Sequence, residues 1–186
     1  MEFKDLGLPK EILKAVTKLG FEKPSEIQEK AIPILSEGKQ DFVGLAQTGT
    51  GKTAAFGLPL IQHIDFTDRT TQALIICPTR ELCMQITRDL ESFASYQNDP
   101  NIVAVYGGAS ISDQIRKLKK GAHIVVATPG RLMELVEKKY IDLSQVKTVV
   151  LDEADEMLKL GFREDIESIL KITRGGRNTW LFSATI

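Results

Sequence analysis

The sequence has few of the residues that mark several common protein classes. Its 186 residues include only two cysteines and two histidines, and no Cys-x-x-Cys spacing occurs. Two thiols are too few for a zinc site of the usual kind. In a chain without a secretory leader they indicate a reducing compartment, so we expect a cytoplasmic protein.

Long apolar runs, repeats and net charge are also lacking. No apolar run approaches the length of a membrane span, so we expect no membrane association. The formal net charge of -1 gives no general attraction to nucleic acid, and any binding of a polyanion must come from a local patch. A hydrophobic share of 42% over this length is enough for one sizeable α/β domain.

The clearest motif is AQTGTGKT at residues 46–53. It follows an apolar run at 41–45, predicted as a buried strand, and leads into 54–56, the predicted start of a helix. This pattern between a strand and a helix is typical of a phosphate-binding P-loop. The predicted nucleotide-binding residues are Ala46, Gln47, Thr48, Gly49, Thr50, Gly51, Lys52 and Thr53.

Each residue type in this motif has a chemical reason. Gly49 and Gly51 allow turns in which successive backbone N–H groups converge on an anion. Lys52 supplies a compact positive charge for the β- and γ-phosphates, and the Thr53 hydroxyl suits Mg²⁺. The alternative, a glycine-rich turn before Lys-Thr, does not explain why both flanks are correct.

Strand-like and helix-like segments alternate along the chain. Strands are predicted at 41–45, 73–77, 102–106, 124–127, 148–151 and 180–182. Helices are predicted at 9–19, 80–93, 112–120, 131–138 and about 163–173, and two more are predicted to begin at 25 and 54. In the first helix Leu19, and in the helix that begins at 25 Ile34, are expected to face inward. This alternation predicts an α/β fold with a mostly parallel sheet and helices on both faces. Ligands of such sheets bind at the carboxyl ends of the strands.

A second motif, three carboxylates in the sequence DEAD, follows the apolar strand at 148–151. Asp152 at the strand end can hold Mg²⁺, usually through water. Glu153 is placed to orient and deprotonate an attacking water. The same residues could instead be an acidic cap on a following helix. Because a P-loop occurs in the same chain, we favour a catalytic group of Lys52, Asp152 and Glu153.

Seven short motifs in this order resemble the first half of DEAD-box RNA helicases. The resemblance implies ATP and Mg²⁺ as cofactors and local unwinding of short RNA duplexes by two RecA-like domains. Residues 1–186 would be the amino-terminal RecA-like domain, with a Q-motif region at 1–40 and a P-loop core at 41–186. The motifs are GFEKPSEIQ at 20–28, AQTGTGKT at 46–53, PTREL at 78–82, GG at 107–108, TPGR at 128–131, DEAD at 152–155 and SAT at 183–185.

The resemblance also assigns an adenine site near the amino terminus. It implies that Gln28 reads adenine through its amide and that Phe21 packs near the base. Ser25 and Gln28 also form a capping-box pattern, which alone could explain both residues. The two interpretations of Gln28 are compatible. For Phe3 we expect mostly packing in the core.

RNA contacts and a coupling element follow from the same resemblance. The RNA surface would be formed by Thr79, Arg80, Gly108, Thr128 and Arg131, which contact the RNA backbone with little sequence specificity. Taken singly, each of these residues also has a structural interpretation.

Ser183 and Thr185 would couple ATP hydrolysis to RNA binding through hydrogen bonds to Asp155. The strand before them is expected between the P-loop strand and the DEAD strand. His63 and His123 have no catalytic partner in the sequence and are expected at the surface or in loops.

The resemblance further implies that a second RecA-like domain carries arginines that complete the ATP site. We therefore expect the chain as given to be monomeric and to bind nucleotide, yet to be nearly inactive alone. Two other classes remain open: a P-loop motor that acts on DNA or protein, and a non-catalytic module that only binds nucleotide or a partner.

Overall fold

The computed structural model describes residues 1–173 and 175–185 and contains one six-stranded sheet between two layers of helices. The strands are β1 (Phe42–Leu45), β2 (Ala73–Ile76), β3 (Ile102–Val105), β4 (Ile124–Ala127), β5 (Thr148–Asp152) and β6 (Asn178–Ser183). The helices are α1 (Lys10–Lys18), α2 (Glu26–Glu37), α3 (Lys52–Gln62), α4 (Arg80–Phe93), α5 (Ile111–Leu118), α6 (Pro129–Glu137), α7 (Ala154–Lys159) and α8 (Arg163–Ile172), after a short 3-10 helix at Phe3–Asp5.

The strands are all parallel and lie in the order β1-β6-β5-β2-β4-β3. The predicted position of β6 between β1 and β5 is therefore confirmed. Trp180 pairs in register with Phe42 on one side and Val150 on the other. Trp180 and Phe182 are fully buried, as expected for a strand with neighbours on both sides and helices nearby.

The sheet separates two apolar cores. Helices α1 to α4 cover one face, where the Phe56 ring lies 5.3 Å from that of Phe182 between centroids. Helices α5 to α8 cover the other face with side chains such as Leu132 and Met157. Burial of both faces explains why the central strands are almost continuous in apolar residues. Among the described residues, no helix is both long and apolar enough to span a membrane.

Three expectations about burial are wrong. Strand β1 is not buried, because it is an edge strand: Val43 is 65% exposed and Leu45 52% exposed, on the face opposite Phe42. In α1, Ala15 is buried, while Leu19 directly after the helix is exposed; in α2, Ile32 is buried while Ile34 is exposed. Helical periodicity located each amphipathic helix but did not give the correct edge of its buried face.

The strand order brings all carboxyl ends to one edge of the sheet in two groups. The ends of β1, β6 and β5 lie side by side and carry the P-loop, SAT and DEAD motifs. The ends of β2, β4 and β3 form the other group and carry the PTREL, TPGR and GG motifs. The fold therefore sorts the predicted nucleotide residues from the predicted RNA residues.

Candidate functional site

The P-loop connects β1 to the first turn of α3. Gly49 and Gly51 have φ values of 84° and 83°, a region that side chains with a β-carbon disfavour. A β-carbon on Gly51 would lie 2.4 Å from Gln28 Nε2, so this position also lacks space. The Thr50 hydroxyl donates to the Gln47 carbonyl at 2.6 Å and closes the turn.

A cleft of about 490 Å³ lies beside this loop. Its wall combines groups suited to phosphate with an aromatic ring, and it includes Phe21, Gln28, Gly49, Lys52, Thr53 and Glu153. Helix α3 begins at Lys52, so the positive end of its dipole faces the same space. The cleft can therefore hold an anion next to an apolar, planar group.

Lys52 connects the P-loop to the DEAD motif. Its Nζ lies 3.1 Å from Asp152 Oδ1 and 3.7 Å from Glu153 Oε2. Lys52 is only 6% exposed, and Asp152 is fully buried at the end of β5. The ammonium group thus lies between two carboxylates in a site largely shielded from water.

Asp152 has the chemistry of a metal ligand. Within residues 1–173 and 175–185, neither carboxylate oxygen of Asp152 accepts a hydrogen bond of good geometry. Its contact with the Lys52 ammonium is an ion pair. Burial raises the pKa of Asp152 above its ordinary value, while Lys52 opposes that change. Buried oxygens with free acceptor capacity, in a residue next to a second carboxylate, suit a hard cation such as Mg²⁺.

Glu153 has an unusual backbone conformation, with φ 55° and ψ 49° in the left-handed region. A residue other than glycine in this region costs roughly 1–2 kcal/mol. Glu153 also occupies the position before α7, so the acidic motif does precede a helix, although its side chain makes no capping bond. Glu153 therefore fits both interpretations in position, since it precedes α7 and also lines the cleft.

Gln28 contacts the P-loop directly. Its Nε2 donates to the Gly51 carbonyl at 3.0 Å, and its Oε1 accepts from the Ser25 N–H at 2.9 Å. The bond from Gln28 to the Ser25 N–H is half of the expected capping box, whereas Ser25 Oγ has no hydrogen-bond partner within the described residues; Gln28 is buried. Phe21 is 38% exposed, whereas Phe3 is 5% exposed and packs in the core as expected. These two bonds use one N–H and one lone pair of the Gln28 amide, so a second N–H and a second lone pair remain for a ligand.

The SAT residues contact Asp155 at the end of β6. The Thr185 hydroxyl donates to Asp155 Oδ2 at 3.0 Å, and the Asp155 N–H donates to Ser183 Oγ at 3.3 Å. Burial acts to raise the pKa of Asp155, but the hydroxyls of Thr185 and Ser183 hold it below the ordinary value. The expected contacts between these hydroxyls and Asp155 are present.

The second group of strand ends carries the predicted RNA residues. Thr79 caps α4, where its hydroxyl accepts from the Leu82 N–H, and Thr128 is the buried N-cap residue of α6. Arg80 is exposed, whereas the Arg131 side chain is only 12% exposed because it is bonded within the protein. Gly108 has φ 79° and is exposed.

Two buried polar residues escaped the sequence reasoning. Gln114 is 5% exposed and lies next to the strand ends that carry the predicted RNA residues. His123 lies in the loop before β4, one of its two expected locations, but it is fully buried and not at the surface; its ring bonds the Asn101 N–H and the Phe66 carbonyl. No pattern in the sequence marks either residue, since both bond to backbone groups that are distant along the chain.

Comparison with known proteins identifies the family. The model of the DEAD/DEAH box helicase family matches residues 25–186. The chain belongs to this family. It is 42% identical to a DEAD box protein from the hyperthermophile Methanococcus jannaschii, with a TM-score of 0.95 over 100% of this chain and 50% of that one. This DEAD-box chain therefore has a RecA-like fold, as its sequence predicted.

Longer relatives show the same similarity. The chain is 53% identical over 185 residues to the ATP-dependent RNA helicase CshA of Listeria monocytogenes, covering 35% of that protein. It is 48% identical over 184 residues to the ATP-dependent RNA helicase DeaD of Escherichia coli strain K12, covering 29% of it. The DEAD-box chain thus spans about a third of the length of these curated relatives.

The contact between SAT and DEAD gives a prediction about Asp155. Replacing Thr185 by valine removes a hydroxyl donor, so we expect the pKa of Asp155 to rise towards its ordinary value. A lowered carboxyl pKa contributes stability above the unfolded-state pKa, which is lost as the pH falls through the folded-state pKa. Thr185→Val should therefore make unfolding less sensitive to acid in that range.

Titration of the side-chain carboxyls by NMR measures this change. The pKa of Asp142 is lowered by bonds from Ser144 in a separate loop and should stay the same in the variant. An Asp155 pKa unchanged by Thr185→Val would show that this hydrogen bond does not form in solution.

Proposed function

We propose that this chain is the ATP-binding, amino-terminal RecA-like half of an ATP-dependent RNA helicase that locally unwinds short duplexes. The observation that carries the proposal is the placement of Lys52 at the start of α3, 3.1 Å from Asp152 and 3.7 Å from Glu153. A cation, a metal-ligand carboxylate and a candidate base thus meet beside a phosphate-binding loop. Such a group is what hydrolysis of a nucleoside triphosphate needs.

In this proposal the P-loop binds the phosphates of ATP. Lys52 transfers from its carboxylate partners to the β- and γ-phosphates, and the N–H groups of the loop bond the phosphate oxygens. Thr53 and Asp152 would hold Mg²⁺, partly through water, and the ion would supply positive charge against the phosphates. Glu153 orients the attacking water and accepts its proton as the bond to the γ-phosphorus forms and the bond from that phosphorus to the bridging oxygen breaks, so that ADP leaves.

The base site would involve Phe21 and Gln28. Phe21 lines the cleft and is partly exposed, so its ring would pack against adenine there. The Gln28 amide already bonds the Gly51 carbonyl, which links base recognition to the shape of the P-loop. Adenine binding at Gln28 would thereby affect the phosphate site through the hydrogen bond between Gln28 and the Gly51 carbonyl.

RNA would bind across the ends of β2, β4 and β3. Thr79, Arg80, Gly108, Thr128 and Arg131 lie on these neighbouring ends, and Arg80 and Gly108 are exposed. They offer hydroxyl, guanidinium and backbone groups, which suit phosphate and 2′-hydroxyl contacts with little sequence preference.

Asp155, Ser183 and Thr185 would couple the two ligands. They join α7 to the end of β6, next to the P-loop, whose Ala46 N–H donates to the Ser183 carbonyl at 3.0 Å. A shift of this strand end on hydrolysis would therefore move the DEAD motif as well.

The rest of the proposal concerns the longer protein. Residues 1–40 form a Q-motif region and 41–186 the P-loop core, and a second RecA-like domain supplies the missing arginines. The protein works as a cytoplasmic monomer. The share of the relatives that the chain covers supports the existence of a second domain.

The roles of Lys52 and Glu153 predict different effects on nucleotide binding. Lys52→Ala removes a ground-state contact to phosphate and should weaken ADP binding at least tenfold, about 1.4 kcal/mol. Glu153→Gln should leave ADP affinity nearly intact and lower hydrolysis by the full-length enzyme about 10²–10⁴-fold. Calorimetric titration of both variants with ADP and a non-hydrolysable ATP analogue tests this. An equal loss of affinity in both variants would make Glu153 a binding residue instead.

The proposed function as a whole is tested by ATPase and duplex-unwinding assays. The 186-residue chain alone should bind adenine nucleotide but show little turnover, because an arginine finger contributes roughly 10³–10⁵ in rate. Turnover should appear with the second domain present and be stimulated by RNA more than by DNA. Robust RNA-stimulated turnover by the chain alone would refute the two-domain mechanism, and stimulation by DNA instead of RNA would favour a DNA motor.

A further inference from the structure

The loop at 106–110, which we call the glycine loop, joins β3 to α5. Gly107 and Gly108 are exposed in it, and Gly108 adopts φ 79°. A β-carbon on Gly107 would meet nothing within 4 Å, and one on Gly108 would meet only Arg80, at 4.0 Å. The backbone of this loop is therefore open to a ligand.

Side chains from three helices hold the carbonyl groups of the glycine loop. The Tyr106 carbonyl accepts from Gln114 Nε2 at 3.0 Å. The Gly108 carbonyl accepts from Arg80 Nη1 at 3.3 Å, and the Ala109 carbonyl accepts from both terminal nitrogens of Arg131 at 3.3 Å.

Two N–H groups of the same loop differ from these carbonyls. The N–H groups of Gly107 and Gly108 donate no hydrogen bond to any part of the chain that the structure describes. Two adjacent backbone donors thus lie free at the surface, close to the guanidinium of Arg80. Unpaired backbone N–H groups beside a cation form a typical site for a phosphate oxygen.

Gln114 is the centre of the contacts that hold the loop. Besides its bond to the Tyr106 carbonyl, its Oε1 accepts from the Tyr106 N–H at 3.3 Å and from Arg131 Nη1 at 3.0 Å. It is 5% exposed, so it cannot itself reach a ligand at the surface. One buried amide therefore fixes both the start of the glycine loop and the guanidinium that holds its end.

We propose that Gln114 is a positioning residue for RNA binding, which holds the glycine loop so that the N–H groups of Gly107 and Gly108 meet a backbone phosphate of RNA. Arg131 acts with it by holding the Ala109 carbonyl near the end of the loop, which accounts for an arginine of a predicted RNA motif being bonded within the protein. This inference rests on the proposed RNA-binding function.

Gln72 supplies a matched control at the opposite edge of the sheet. It is a buried glutamine just before β2. Its Oε1 accepts from the Asp65 N–H and its Nε2 donates to the Asp65 carbonyl, at 2.9 Å each. It also donates to the Asp68 carbonyl at 2.7 Å. Gln72 and Gln114 thus each make three hydrogen bonds that hold a neighbouring segment, but only Gln114 lies at the strand ends that carry the RNA motifs.

The experiment compares Gln114→Ala, Gln114→Glu and Gln72→Ala with the unchanged chain. Affinity for a labelled single-stranded oligouridylate is measured by fluorescence anisotropy at one fixed salt concentration, together with ADP affinity and melting temperature. Both alanine variants should lose similar thermal stability and keep ADP affinity within about twofold. Only Gln114→Ala should lose RNA affinity, by about tenfold, which corresponds to about 1.4 kcal/mol.

Gln114→Glu keeps the acceptor for Arg131 and for the Tyr106 N–H but loses the donor, so it should recover part of the RNA affinity. In NMR spectra of the unchanged chain, RNA should shift the Gly107 and Gly108 amide signals, and this shift should be lost in Gln114→Ala. Equal RNA affinity of Gln114→Ala and Gln72→Ala would overturn the positioning role alone. Absence of RNA binding by the unchanged chain, with ADP binding intact, would overturn the RNA-binding function and this inference with it.

Discussion

The position of β6 between β1 and β5 is the constraint on which the proposed active site depends. Two inter-strand spacings, roughly 10 Å, separate the end of β1 from the end of β5. The P-loop and the Lys52 side chain span this gap and bring Nζ to 3.1 Å from Asp152. The end of β6 lies in the same gap, so Ser183 contacts the P-loop backbone and the DEAD motif at once.

The same strand order gives the two proposed ligands separate places on one sheet. The ends of β1, β6 and β5 carry the predicted nucleotide residues, and those of β2, β4 and β3 carry the predicted RNA residues, with β5 and β2 as the shared border. Each group is held differently. The nucleotide group is held by a buried ion pair and a left-handed Glu153, whereas the RNA group is held by neutral and charge-assisted bonds to loop carbonyls.

Much of the fold and of the candidate site could be predicted from the sequence, and the features that could not be predicted have physical causes. The P-loop, the DEAD strand end and the βα alternation follow from local spacing, which periodicity and motif chemistry report well. The exposure of Val43 depends on the strand order, which spacing does not encode. The roles of Gln114 and His123 depend on bonds to residues eight to fifty-seven positions away, so local reasoning had no signal for them.

Mapping of both ligands on one 15N-labelled sample of this chain tests the central claim most directly. Addition of ADP with Mg²⁺ should perturb amide signals around Gly49, Lys52 and Asp152, at the ends of β1, β6 and β5. Addition of a single-stranded RNA should perturb those around Arg80, Gly108 and Thr128, at the ends of β2, β4 and β3. Perturbation of the same set by both ligands, or of RNA signals away from this edge of the sheet, would contradict the division of the site.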